Sequence, residues 1–298
     1  MRVRRIPGWL AGVIGAAGLL AAWWIFSATV FQPPAGTTFT PVPSPFVVFQ
    51  TIWTDGLAPY IGVFEVTITE ALIGYAWGNS LALLVASTVL LLPQIETVVV
   101  QIAVVSYCLP VVAVGGIAIV VLGGARRAGE PSATAIFLAA LAVFFTTVVG
   151  ALLGFRSSDR SSLDVVRVYG GSRWMQLRKV RLIAALPAIL NALQIAVPSA
   201  FLGAILGEYM GATDRGVGIT LIRLQGDLDS ARVWAVFLLS AIVALIGYAV
   251  VGLLARAVTP WVSGKAVAGR PAPRGLSAAR SSTPCSRSSS SSRSGGRW

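Results

Sequence analysis

The chain has 298 residues, 56% of them hydrophobic and only 11% charged, with a mean hydropathy of +0.80 and a net charge of +12. Soluble domains carry roughly 25% charged residues, and a soluble chain of this length could not hide so much apolar surface in one core. This composition excludes a soluble enzyme. The basic residues cluster beside apolar runs and in the tail, which argues for a membrane surface and against nucleic acid as the partner.

In chain order, a basic head with Arg2, Arg4 and Arg5 precedes an apolar run from Trp9 to Phe31. A secretory signal has an apolar centre of roughly 7–15 residues, so this longer run is read as a retained first span. Trp23 and Trp24 are then expected to contact lipid or other helices. Residues 32–60 are polar and proline-rich without Lys or Arg, as an external loop would be.

A second span, Ile61 to Leu92, ends at Pro93 and carries Ala71, Gly74, Ala76, Gly78 and Ser80, small residues that let helices approach closely. Carboxylates are costly in a bilayer. Glu65 is expected to reach interfacial water, whereas Glu70, one turn deeper, is a candidate for a translocation path. A third span, Thr97 to Leu122, is interrupted at Tyr107-Cys108-Leu109-Pro110. Pro110 frees a backbone carbonyl there, so the break either lines a path or packs as a kink. A turn holding Arg126 and Arg127 leads to a fourth span, Ser132 to Phe155.

Ser161 to Pro187 is the one long basic segment between apolar runs, yet it also holds Val165, Val168, Tyr169, Trp174, Met175 and Leu177. It reads as two short helices broken by a glycine pair. Ser161 or Ser162 can cap the first, with Asp164 in its first turn; Gly170 or Gly171 can take the left-handed conformation; Ser172 can cap the second, with Arg178 and Lys179 in its last turn. A bent amphipathic hairpin of this kind suits a groove on another protein.

A fifth span, Ala184 to Gly211, contains Pro187 and Pro198, and Ser199, Gly203 and Gly207 form a row suited to close packing on another helix or a second copy. Glu208 near its end is a solvated carboxylate, a gate of the outer pathway or a contact for a partner protein outside. A sixth span runs from Arg232 to about Val258. The tail from Thr259 is rich in Ser, Arg, Gly and Pro and cannot fold alone. Placing both termini and the 156–183 loop inside puts 18 Lys and Arg residues there against 5 outside. The expected organisation is all-α: residues 1–60 as head, first span and external loop, 61–258 as a five-helix core, and 259–298 as a cytoplasmic tail.

The chain has no histidine, its two cysteines are Cys108 and Cys285, and its two lysines, Lys179 and Lys265, lie in no phosphate-binding loop. No catalytic or metal site is therefore expected, and any ATP would be bound by another chain.

Asp164-Val165-Val166, Gly170, and then Val180, Leu182 and Ile183 resemble the cytoplasmic coupling loop of ABC-transporter permeases, the membrane subunits of binding-protein-dependent importers. Asp stands for the usual Glu, two valines for two alanines, and Ile183 where a proline is usual. Tyr169 to Trp174, Ala184 to Pro187, Gly207 to Gly211 and Asp214 to Gly218 look like the nitrate, sulfonate, taurine and pyrimidine branch of that family. The resemblance implies a multi-pass subunit of the bacterial inner membrane, paired with a second copy. It implies coupling to an ATPase subunit that binds ATP and Mg, with solute supplied by an extracytoplasmic binding protein. It assigns ATPase coupling to Asp164, Tyr169, Gly170, Ser172, Arg173, Trp174 and Met175, with Arg173 meeting acidic residues, and sets Pro110 beside the path and Glu208 at its outer end; at Glu70, a path candidate by its depth, the family often has a basic residue instead. An ion-coupled secondary transporter and a non-transporting anchor are the alternatives; most carboxylates fall at span ends, which weighs against the former.

Overall fold

The computed structural model describes residues 7–31, 39–127, 129–158 and 160–260, so the basic head and the Ser/Arg-rich tail lie outside the described residues. Among the described residues the chain is helical without strands. A helix pairs its own backbone groups, the form that apolar runs of this length take in lipid. Five such runs are long enough to cross: α1 (Gly8–Thr29), α3 (Ala58–Leu91), α6 (Ala133–Arg156), α9 (Leu182–Gly207) and α11 (Ser230–Val258).

The expected third span is interrupted where its sequence placed the break. It consists of α4 (Glu96–Cys108) and α5 (Val111–Leu122), bent 93° apart. Arms of 13 and 12 residues reach about 18–20 Å each, short of the roughly 30 Å of hydrocarbon. Pro110 offers no N–H to the helix ladder and holds Leu109 extended, at φ −65° and ψ 131°. Counted as one broken crossing, the pair brings the total to six.

The segment read as an irregular external loop also contains a helix, α2 (Pro45–Asp55). The Ser44 side chain accepts from the Val47 N–H at 3.4 Å and Pro45 opens the first turn, a good start signal. Val48 is buried toward α11, while Phe46 and Trp53 point outward. Asp55 then clamps α2 to the start of α11. Arg232 donates to it twice, from Nε at 2.9 Å and Nη2 at 3.1 Å, and also pairs with Asp229 at 3.0 Å. The hydrogen bond from Arg232 holds the Asp55 carboxyl below the usual carboxylate range, with the Tyr60 hydroxyl adding to the effect. Trp23 stacks on Trp234 with ring centroids 5.2 Å apart, so it is a helix contact, whereas Trp24 is exposed.

The centre is a three-helix unit of α3, α6 and α9, joined by small residues. Gly74 and Gly78 of α3 lie on the α6 backbone around Ile136 to Ala140. Along the α6–α9 seam, 135 meets 207, 139 meets 203, 150 meets 192 and 154 meets 188, and in each pair a glycine leaves no room for a Cβ. Every step along α6 is matched by an equal step back along α9, the register of a closely packed antiparallel pair. Gly203 and Gly207 of the predicted small-residue row are therefore taken up within the chain. Two polar links cross the same unit: buried Thr147 donates to Asn79 Oδ1 at 2.5 Å, and the half-buried Tyr75 hydroxyl donates to the Leu193 carbonyl at 3.1 Å.

Candidate functional site: a coupling hairpin and a buried carboxylate pair

The basic segment between α6 and α9 forms the bent hairpin its sequence suggests. Its first arm is α7 (Arg160–Val168) and its second opens with α8 (Arg173–Gln176). Gly171 N–H donates to the Val166 carbonyl at 2.8 Å and Gly170 N–H to the Arg167 carbonyl at 2.9 Å, the paired bonds that close a helix on a left-handed residue. That residue is Gly170, at φ 73°. Gly171 is needed for a different reason, because a Cβ there would strike Val166. Ser172 caps the second arm as expected, its hydroxyl accepting from the Met175 N–H at 3.3 Å.

Three local expectations are corrected. α7 begins at Arg160, so Ser161 and Ser162 lie within its first turn and not before it. The same shift moves Asp164 out of the first turn to a mid-helix position, where it pairs with Arg167 at 3.6 Å across an exposed surface. The second arm does not end at Arg178 and Lys179 either. A π-helical turn, Leu177–Arg181, carries it into α9, so residues 174–211 form one helix of 38 residues, about 57 Å long.

The hairpin's apolar side chains are not used internally. Val165, Val168, Tyr169, Trp174 and Met175 are all exposed, Val168 and Tyr169 by 84% and 86%, while Gln176 is buried. Arg173 opens α8; its side chain lies outside the described residues. A soluble loop would not leave such groups to water, so the hairpin presents a built contact surface.

At the opposite end of α6 and α9, Glu70 and Glu208 are both completely buried. Glu208 sits in a second π-helical turn, Glu208–Ala212, that ends the long helix. Its Oε1 accepts from the Thr67 hydroxyl at 2.6 Å and its Oε2 from the Gly218 N–H at 2.6 Å. Thr67 in turn accepts from the Val217 N–H at 3.0 Å. Val217 and Gly218 open α10 (Val217–Gly226), so Glu208 occupies a helix N-terminus, where a carboxylate is favoured. Gly216, at φ 150°, passes so close to the Glu208 carboxyl that a Cβ would overlap it. Glu70 Oε1 accepts from the Ser132 N–H at 2.6 Å, at the start of α6.

The reading of Glu208 as a solvated helix-end carboxylate is therefore corrected: Thr67, Ser132, Gly216 and Gly218 enclose the pair. Glu65 is exposed, as expected. Pro110 is exposed at the α4–α5 break and is not joined to the carboxylates. An apolar hollow of about 470 Å³ lies between α3, α6 and the last turn of α4, lined by Trp77, Leu81, Leu84, Ser106, Phe137 and Phe144 among others. The sequence reading missed Thr67 and Ser132, ordinary residues in apolar text. The Gly216-Val217-Gly218 run was visible, and its glycines at a helix start were the signal for a cradled acceptor.

The family described as "Binding-protein-dependent transport system inner membrane component" matches residues 78–264. A Haemophilus influenzae protein named "Probable ABC transporter permease protein" is 30% identical over 231 residues, covering 78% of this chain and 89% of that protein. The formylaminopyrimidine transport permease protein of Halalkalibacterium halodurans is 25% identical over 245 residues, covering 82% and 92%. Among solved structures, a bacterial ABC transporter involved in the import of the acidic polysaccharide alginate contains a chain of similar fold. It has a TM-score of 0.50 at 18% identity, covering 83% of this chain and 96% of that one.

Proposed function

The chain belongs to the family of binding-protein-dependent transport inner membrane components, the ABC transporter permeases, and on that premise we propose that it couples solute import to a separate ATPase through the α7–α8 hairpin. The observation that carries this reading is the exposed apolar edge of the hairpin, built on a fixed glycine turn and continuous with a membrane-crossing helix.

The hairpin and both termini face the cytoplasm, the orientation that the Lys and Arg distribution favours. Asp164 and Gly170 shape the hairpin, Ser172 caps its second arm, and Tyr169, Trp174 and Met175 fill a groove on the ATPase, whose acidic residues Arg173 meets. The ATPase binds ATP and Mg. Its closure moves the hairpins of two permease copies and turns the path between them from inward-facing to outward-facing, where the binding protein delivers its solute. Hydrolysis resets the cycle. The solute belongs to the small sulfonate, taurine, nitrate or pyrimidine-like class; the relative named for formylaminopyrimidine supports the last of these.

The test places a single cysteine at Trp174 in a Cys108→Ser, Cys285→Ser background and labels it with a membrane-impermeant thiol reagent. Labelling only from the cytoplasmic side is expected, together with ATP-dependent uptake in vesicles containing the ATPase and binding protein. Labelling only from outside overturns the orientation, and uptake driven by an ion gradient without ATP would favour a secondary transporter.

A further inference from the structure

Among the described residues, Glu70 Oε2 is one of two buried side-chain polar atoms without a hydrogen-bond partner, the other being Trp23 Nε1. For a carboxylate this is an unstable arrangement. A buried charge needs donors on both oxygens, and Glu70 has one donor, the Ser132 N–H on Oε1. Thr67, which holds the Glu208 carboxyl, and Glu70 are three residues apart on one face of α3, so the two buried carboxyl groups lie side by side. Two ionised carboxylates are acceptors only, so a hydrogen bond between them requires a proton on one.

The donors decide which one. Glu208 already receives the Thr67 hydroxyl and the Gly218 N–H, and it lies at the N-terminus of α10, all of which favour the ionised form. Glu70 has the oxygen left over. We propose that Glu70 is a carboxylic acid in the folded protein and that its Oε2–H donates to the Glu208 carboxylate, so that the pair binds one proton. This completes a network in which Glu208 has three donors, Glu70 has one donor and one acceptor, and the polar atoms of the cluster are all used.

The cluster ties four elements at one point. Thr67 and Glu70 belong to α3, Ser132 starts α6, Glu208 ends the long α9 helix, and Val217 and Gly218 start α10. The proton-sharing pair is thus a positioning device that fixes the end of the bundle opposite the hairpin. The two carboxyl groups are enclosed by these elements.

The experiment is difference infrared spectroscopy of the purified full-length protein in lipid at neutral pH, reading the carbonyl stretch of a protonated carboxyl group. The band is expected in the unsubstituted protein and in Glu65→Gln, and is expected to vanish in Glu70→Gln. Its absence from the unsubstituted protein, or its survival in Glu70→Gln, overturns the proposal. Stability gives an independent reading that needs no spectroscopic assignment. Glu70→Gln keeps one donor and one acceptor in place and should leave Tm within a few degrees. In Glu208→Gln the amide nitrogen must face either the Gly218 N–H or a Thr67 hydroxyl that already accepts from Val217, so Tm should fall by more. Equal losses in the two variants, or failure of Glu70→Gln to fold, would count against the assignment of the proton.

Discussion

Thr147 of α6 donates its hydroxyl hydrogen to Asn79 Oδ1 of α3, and Asn79 Nδ2 donates to the carbonyl of Tyr75 on its own helix. Both side chains are buried in an otherwise apolar interior. In a double-mutant cycle of Asn79→Leu and Thr147→Val, the coupling energy is expected to lie near 0.6 kcal/mol and below about 1.7 kcal/mol, as for hydrogen bonds between membrane helices. Zero coupling in denaturant unfolding would show that the bond does not hold the two helices together.

The α6–α9 seam leaves no space at Gly203 or Gly207. Gly203→Leu must push the backbone of Leu138 and Ala139 away, and overpacking of this kind costs about 1–3 kcal/mol. We expect less folded protein in membranes and a lower Tm. Gly116→Leu, at a site with open space around it, is the matched control and should be tolerated.

Gly170→Pro should uncouple the hairpin. Proline requires φ near −65° and has no N–H, whereas Gly170 stands at φ 73° and donates to Arg167. Trp174→Asp instead leaves the turn intact and places a charge on the exposed apolar edge. Both should reduce co-purification of the ATPase and ATP-dependent uptake, while the bundle itself still inserts and folds. Unsubstituted levels of both readouts in both variants would remove the hairpin from the coupling scheme.

The Asp55–Arg232 clamp is expected to respond to acid. Because Asp55 is held below its ordinary range, the clamp stabilises the fold above the ordinary carboxylate pKa of about 3.9 and is lost as pH falls through the lower value of the folded state. Arg232→Gln should lower stability at pH 7 by about 1 kcal/mol, since the pair is partly exposed, or about 2–4 °C in Tm. The difference between variant and unsubstituted protein should shrink toward pH 3. A gap that stays constant over that range would show that the ion pair is not its source.

The crossings and the hairpin were legible because they rest on local signals: apolar length, a glycine pair, and a serine before an amphipathic turn. Other features were set by distant partners. Glu208 reads as a helix-end acid until Thr67, 141 residues earlier, and the α10 start close over it. Helical periodicity does not help within a bilayer, where lipid-facing and protein-facing sides are equally apolar, so the sequence could not say that Gly203 and Gly207 face α6. The break at Pro110 was visible, but a 93° bend depends on how the two arms pack. At α2 the Ser44-Pro45 start signal was present in the sequence and was obscured by the surrounding prolines. The start of α7 at Arg160 differs from the serine-capped start because the helix can begin on the residue before either serine.

The second arm of the hairpin and the carboxylate cluster lie at the two ends of one continuous helical run, Trp174 to Gly211. A transverse push on the hairpin end therefore need not be relayed through a chain of side chains. Pivoting about the middle by about 10° would swing each tip through roughly 5 Å in opposite directions, given a length of 1.5 Å per residue. Displacement at one end of the run and its mirror image at the other would then be a single event.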